Sequence, residues 1–278
     1  MSEGGRGERG LKAVSAQKQA PGDAEPDIEN KRTDADDEQV VRRRGIYLLP
    51  NLITTGALFC GFYAVVAAMN GRFIAASIAI FAAMILDTAD GRVARLTRTE
   101  SAFGAEYDSL SDMVAFGVAP ALVAFSWALE PLGKVGWAVT FIYMACAALR
   151  LARYNTQGTL ESFTGLASPS AAAVVASLVW VLQEYRLPDE PAGTGIAILL
   201  GVVTGTVGLL MVSPYRYFSP KMLNFKGRVP FFTLVAVALG FAVVFADPPR
   251  VLLAFFGLYA LSGPVQHYWE RARRAQAS

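Results

Sequence analysis

From Ile46 onward, long apolar stretches recur with only short polar breaks between them, and no other feature restricts the fold of this chain as strongly. A membrane-spanning helix needs about 20 mostly apolar residues. Eight stretches of that kind can be read: 48–69, 73–97, 105–129, 134–152, 169–185, 193–212, 229–246 and 250–268. Breaks are marked by Asn70-Gly71-Arg72, Pro131-Leu132-Gly133-Lys134, the Arg186 to Gly193 segment and Asp247-Pro248-Pro249-Arg250. The stretches are too long and too irregular in polarity for barrel strands. Only 17% of the 278 residues are charged and 54% are apolar, short of the charged quarter that covers a soluble domain. The predicted fold is an all-α integral membrane protein, a polytopic bundle of about eight transmembrane helices. The final stretch is the weakest, since Gly263, Pro264 and His267 interrupt it.

Lys and Arg set the orientation. One set of ends carries Arg42, Arg43, Arg44, Arg92, Arg95, Arg98, Arg150, Arg153, Arg216, Lys221, Lys226, Arg228, Arg271, Arg273 and Arg274; the other carries only Arg72, Lys134, Arg186 and Arg250. The positive-inside rule turns the first set, and both termini, to the cytoplasm. Residues 1–41 lack an apolar signal-peptide core and are too polar to offset ordering entropy. They are expected to form a disordered cytoplasmic tail, followed by a transmembrane domain over 42–270 and a short cytoplasmic tail over 271–278. A net charge of +2 predicts no nucleic-acid partner. Cys60 and Cys146 sit in apolar runs and read as small core residues. With one histidine, the chain is too poor in His and Cys for zinc.

Against this background the carboxylates stand out. Asp87 and Asp90 are three residues apart on the second stretch, and Asp108 and Asp112 four apart on the third, so each pair shares a helix face. A short connection around Thr99 to Gly104 makes the two helices antiparallel neighbours, which brings four carboxylates toward one end of a hairpin. Arg95 offsets one negative charge; four require a multivalent cation. Ligation by carboxylates alone points to Mg²⁺, Mn²⁺ or Ca²⁺, and the first two suit a substrate bearing phosphate. Gly91, Ala94 and Gly104 either clear space beside such an ion or serve close helix packing.

The string Asp-x-x-Asp-Gly-x-x-Ala-Arg-x8-Gly-x-x-x-Asp-x-x-x-Asp resembles the signature of the CDP-alcohol phosphatidyltransferases, and Asp87, Asp90, Gly91, Ala94, Arg95, Gly104, Asp108 and Asp112 supply all eight of its fixed positions. The resemblance implies two divalent ions, Mg²⁺ or Mn²⁺, bridged by Asp87 and Asp108. Asp90 would complete one ion site and also lie against the nucleotide of the CDP-lipid, and Asp112 would complete the other and be the general base. It further implies contacts to the CDP-lipid from Gly91, Arg95 and Ser101, room for it beside Ala94 and Gly104, and a cytidine pocket lined by the segment containing Asn51.

Within the family, the chain is most similar to the CDP-diacylglycerol–serine O-phosphatidyltransferases. The stretches that carry this are Pro50-Asn51 to Phe62, Ala148 to Asn155, Gly165 to Ala172, and Leu210 to Ser213 with Tyr217 and Lys221. Ala167 stands where that group has proline. The implied partners are CDP-diacylglycerol, L-serine, the lipid bilayer and a second copy in a homodimer. The implied location is a bacterial-type inner or plasma membrane, with the active site facing the cytoplasm.

Arg150, Arg153 and Asn155, at the end of the fourth stretch, suit either the serine carboxylate or a lipid phosphate; charge that sets topology is the plainer role for the arginines. Other alcohols (glycerol 3-phosphate, inositol or its phosphate, choline) would use the same chemistry. A cation transporter would also place carboxylates in the membrane, but nearer the midplane and within inverted repeats, of which the chain has none evident.

Overall fold

The structure is a computed structural model that describes residues 49–97, 99, 101–157, 164–185, 193–215, 217 and 231–277. The expected N-terminal tail, Arg42 to Arg44, Arg216 and the Lys221 to Arg228 cluster lie outside the described residues. The described residues form helices and no strand: α1 (Leu49–Met69), α2 (Phe73–Thr97), α3 (Ala102–Leu132), α4 (Lys134–Gln157), α5 (Ser168–Glu184), α6 (Thr194–Val212), α7 (Phe231–Ala246) and α8 (Pro248–Ala277). Each apolar stretch of the sequence has its helix. Five of them (α1, α2, α3, α4 and α6) are long and apolar enough to cross a membrane. A sixth span results if Ala238–Ala246 and Pro248–Trp269, which meet at 118°, count as one. The protein is therefore a multi-pass, all-helical membrane protein.

At 17 residues α5 is shorter than a usual span, yet it is the hub of the bundle. Ala171 to Ser177 are buried without a break, so the helix is apolar on every side, as a central helix must be. Four of those residues are alanine, which lets α2, α3, α6 and α8 pack closely around it. The outer helices instead expose large apolar side chains such as Phe59, Phe62, Ile85, Trp137, Leu209 and Phe245, the pattern of a lipid-facing surface.

Pro120 and Pro264 lie more than a turn from either end of their helices, and each frees a carbonyl four residues earlier because it has no N–H to donate. Pro120 in α3 frees Phe116 O, which accepts from the Tyr143 hydroxyl of α4 at 3.0 Å. Pro264 in α8 frees Ala260 O, which accepts from the Tyr217 hydroxyl at 3.0 Å. Helix α8 thus continues through Gly263, Pro264 and His267 to Ala277, where the sequence had suggested an interruption. Around Pro120, α3 opens into π-helical turns at Met113–Val118 and Phe125–Leu129, a usual response to a broken ladder. Close crossings are built on glycine: a Cβ on Gly61 of α1 would lie 2.8 Å from Ala115 Cα of α3. Cys60 and Cys146 are free thiols.

Candidate metal centre and active site

The hairpin of α2 and α3 places the carboxylates. Helix α2 ends at Thr97, and α3 starts at Ala102 rather than at 105 because Ser101 caps it: its Oγ accepts from Gly104 N at 3.0 Å. One carboxylate oxygen from each of Asp87, Asp90 and Asp108 lies within 4.8 Å of the others. Asp90 is 4% exposed, stands beside Thr54, and its Oδ2 has no hydrogen-bond partner. Three negative groups this close repel one another in a low-dielectric setting. A divalent, oxygen-seeking cation fits both the donor set and the unpartnered buried oxygen. Asp112 lies outside that trio. Its carboxyl is within hydrogen-bond reach of Asp87, and the Arg150 guanidinium acts on it from α4.

Three of the expected nucleotide residues, Asn51, Ser101 and Gly104, come together where the first turns of α1 and α3 meet. A Cβ on Gly104 would lie 3.1 Å from Ser101 Oγ and 3.4 Å from Asn51 Oδ1. Beside Gly91 there is open space, for an added Cβ would meet only Arg95 Nη2 at 3.8 Å. Arg95 is exposed and folds back along α2, with Nε donating to Gly91 O at 2.8 Å. Ala94, also on α2, is half-buried.

The basic end of α4 divides three ways. Arg150 donates to Ser168 Oγ at 2.7 Å, at the start of α5. Arg153 donates to Thr164 Oγ1. Asn155 donates from Nδ2 to Ser109 Oγ at 3.0 Å, next to Asp108 in sequence. Arg150 also acts through its charge on the carboxyl of Asp112. Several groups at this site carry no motif signal. Thr55 shares a 2.9 Å hydrogen bond with Tyr107, Ser111 donates to Thr54 O at 3.2 Å, and Tyr259 of α8 interacts electrostatically with Arg150. Ser168 had a signal, since Ser-Pro is a helix-start pair.

The family comparison agrees with this geometry. The sequence model of the CDP-alcohol phosphatidyltransferase family matches residues 47–211, which include the whole carboxylate hairpin. The chain is 38% identical over 224 residues to the CDP-diacylglycerol–serine O-phosphatidyltransferase of Helicobacter pylori strain J99, spanning 80% of this chain and 91% of that protein. It is 34% identical over 188 residues to the protein of the same name from Methanocaldococcus jannaschii, spanning 68% and 82%. With the one from Bacillus subtilis strain 168 it shares 33% identity over 170 residues, spanning 61% and 89%. A membrane-embedded transferase is the class that fold and site define together. The chain belongs to the CDP-alcohol phosphatidyltransferase family.

Proposed function

We propose that this enzyme transfers the phosphatidyl group of CDP-diacylglycerol to the hydroxyl of L-serine, giving phosphatidylserine and CMP in phospholipid biosynthesis. The approach of Asp87, Asp90 and Asp108 to within 4.8 Å carries the chemistry; similarity to proteins named as serine transferases carries the acceptor. In this reading Asp87, Asp90, Asp108 and Asp112 would together hold two Mg²⁺ or Mn²⁺ ions. Such ions, when bound, neutralise the diphosphate and fix its oxygens. Asn51, Ser101 and Arg95 contact the CDP head, Arg95 through phosphate, in room left by Gly91, Ala94 and Gly104.

Asp112 takes the serine hydroxyl proton, for which it must come within about 3 Å of that oxygen. The serine oxygen then bonds to the phosphorus that carries the diacylglycerol. The bond from that phosphorus to the CMP oxygen breaks, and CMP leaves with the electron pair. Arg150, beside Asp112, stands where a serine carboxylate or lipid phosphate would be met, and Arg153 and Asn155 belong to the same end of the site. Acceleration comes mainly from position and charge. A phosphatidyl-histidine route has little to work with, because the one histidine, His267, packs against Tyr215.

The same reading has eight transmembrane helices, counting α5, α7 and α8 as separate spans. Both termini and the carboxylate hairpin face the cytoplasm of a bacterial-type inner membrane, with a tail over 1–41 and the transferase domain over 42–270. The excess of Lys and Arg at one set of helix ends supports this orientation. Homodimerisation follows from the family resemblance.

The test is CMP release by the purified chain, supplied with CDP-diacylglycerol and Mn²⁺ or Mg²⁺. L-serine is compared with glycerol 3-phosphate, inositol, inositol phosphate and choline, and Asp112→Asn is run alongside. The expected result is release that needs both serine and metal and falls at least a hundredfold, roughly, in Asp112→Asn. Release with another alcohol keeps the chemistry and replaces the acceptor. No release from a folded sample moves the cation-transporter reading forward.

A further inference from the structure

The carboxylate turn of α3 is held by polar side chains from two opposite sides. Tyr107 and Ser111, four residues apart, share one face and bond to α1: Tyr107 to the Thr55 hydroxyl at 2.9 Å, Ser111 to Thr54 O at 3.2 Å. Ser109 projects roughly half a turn away from that pair. There Asn155 of α4 donates from Nδ2 to its Oγ at 3.0 Å. The Ser109 hydroxyl has one proton and two acceptors in reach, Ala105 O at 3.1 Å and Asn155 Oδ1 at 3.2 Å; given to the first, it carries the bond from Asn155 on into the α3 backbone, and given to the second, it doubles the link to Asn155. Asp108 and Asp112 fall between the two bonded faces.

Immediately beyond Asp112 the α-helical ladder gives way to the π-helical turns that begin at Met113. The deeper half of α3 therefore does not by itself fix the roll of the carboxylate turn. Roll matters here: an aspartate reaches roughly 6 Å from the helix axis, so a ten-degree roll moves its oxygens by about 1 Å. That is a large displacement for a cluster whose oxygens lie within 4.8 Å.

We infer that Asn155 is a positioning residue: through Ser109 it fixes the roll of α3 and so holds Asp108 against Asp87 and Asp90. The inference rests on the reading of these aspartates as metal ligands and gives Asn155, at the acceptor end of the site, a task that involves no contact with the acceptor.

The experiment measures Mn²⁺ affinity of the full chain in detergent by electron paramagnetic resonance, with serine kinetics alongside. The variants are Asn155→Ala, Ser109→Ala, their double mutant and Ser109→Thr, which keeps the hydroxyl. Each single alanine variant is expected to weaken Mn²⁺ binding roughly tenfold, the low end of what loss of an outer partner of a metal ligand costs. The double variant should be no weaker than the worse single, Ser109→Thr should stay within about twofold of wild type, and the serine KM at saturating Mn²⁺ should move less than about twofold. An Mn²⁺ affinity unchanged in Asn155→Ala overturns the inference. So does a serine KM that rises in Asn155→Ala but not in Ser109→Ala, which would make Asn155 an acceptor contact. If wild type binds Mn²⁺ but serine releases no CMP, the serine reading fails while the Mn²⁺ comparison still decides this one.

Discussion

At 4% exposure, Asp90 has an oxygen with no hydrogen-bond partner, while Asp87 and Asp108 keep partial access to solvent. An ionised carboxylate held in that way is destabilising until a cation compensates it. Asp90→Asn keeps the shape and removes the charge. We expect it to abolish tight Mn²⁺ binding and lower CMP release on the order of a hundredfold. Chelator-treated protein should melt no lower than chelator-treated wild type; a clearly lower melt would mean that Asp90 serves the fold instead. Arg150 donates to Ser168 from a planar, forked group that lysine lacks, and its charge acts on Asp112. Arg150→Lys should therefore reduce kcat/KM for serine by at least about tenfold, measured at saturating Mn²⁺. The spacing of the aspartates was enough to place each pair on one face of its helix. It did not reveal that three of them close on one point while Asp112 pairs with Asp87 and faces Arg150. Local spacing fixes a face. The roll of one helix against another depends on bonds such as Thr55 to Tyr107 and Asn155 to Ser109, whose partners lie far apart in sequence and have no periodic signal.

The helices themselves were largely legible, because a run of about 20 apolar residues is a strong and local signal. Helix α2 has the limits read from sequence, 73–97. The misjudged ends have identifiable causes. Ser101 extends α3 back to Ala102 by capping it, and α8 passes Pro264 with the Tyr217 hydroxyl on the carbonyl that proline frees. A proline is visible in a sequence; the tyrosine that compensates for it is not, since Tyr143 and Tyr217 belong to other segments. Removing either hydroxyl strands a carbonyl in a buried setting. Tyr143→Phe and Tyr217→Phe should each lower stability by about 1–3 kcal/mol. Pro264→Ala, which restores the missing N–H, should recover most of the loss in Tyr217→Phe. Thermal unfolding in detergent would check this, and an equal loss with and without the proline would refute the compensation.

For the molecule as a whole, orientation is the property with the simplest test. In a Cys60→Ala, Cys146→Ala background, single cysteines at Asn70, after α1, and Lys134, the first residue of α4, both exposed, should react with a membrane-impermeant maleimide in intact cells. A cysteine at exposed Thr156 should react only after lysis. The reverse pattern would invert the protein and put the carboxylates on the outer side. Sequence reading could reach this scale because charge asymmetry belongs to the entire chain. The hub role of α5 was beyond it: an all-apolar run looks the same whether lipid or protein surrounds it.

The family match ends at residue 211, but the packing does not. Helix α8 lies along α5, with Phe256 against Phe81 of α2 (ring centroids 6.3 Å apart), Ala260 buried, and Gly263 fitted so closely to Tyr217 that a Cβ would come within 2.4 Å of its ring. The end of the segment matched by the family model and the limit of the folding unit are thus two different places in this chain. What the last helix shows to lipid is free to vary as long as it stays apolar, but the side turned to α5 answers to a fitted surface, and a protein cut at residue 211 would have an open flank where its centre should be.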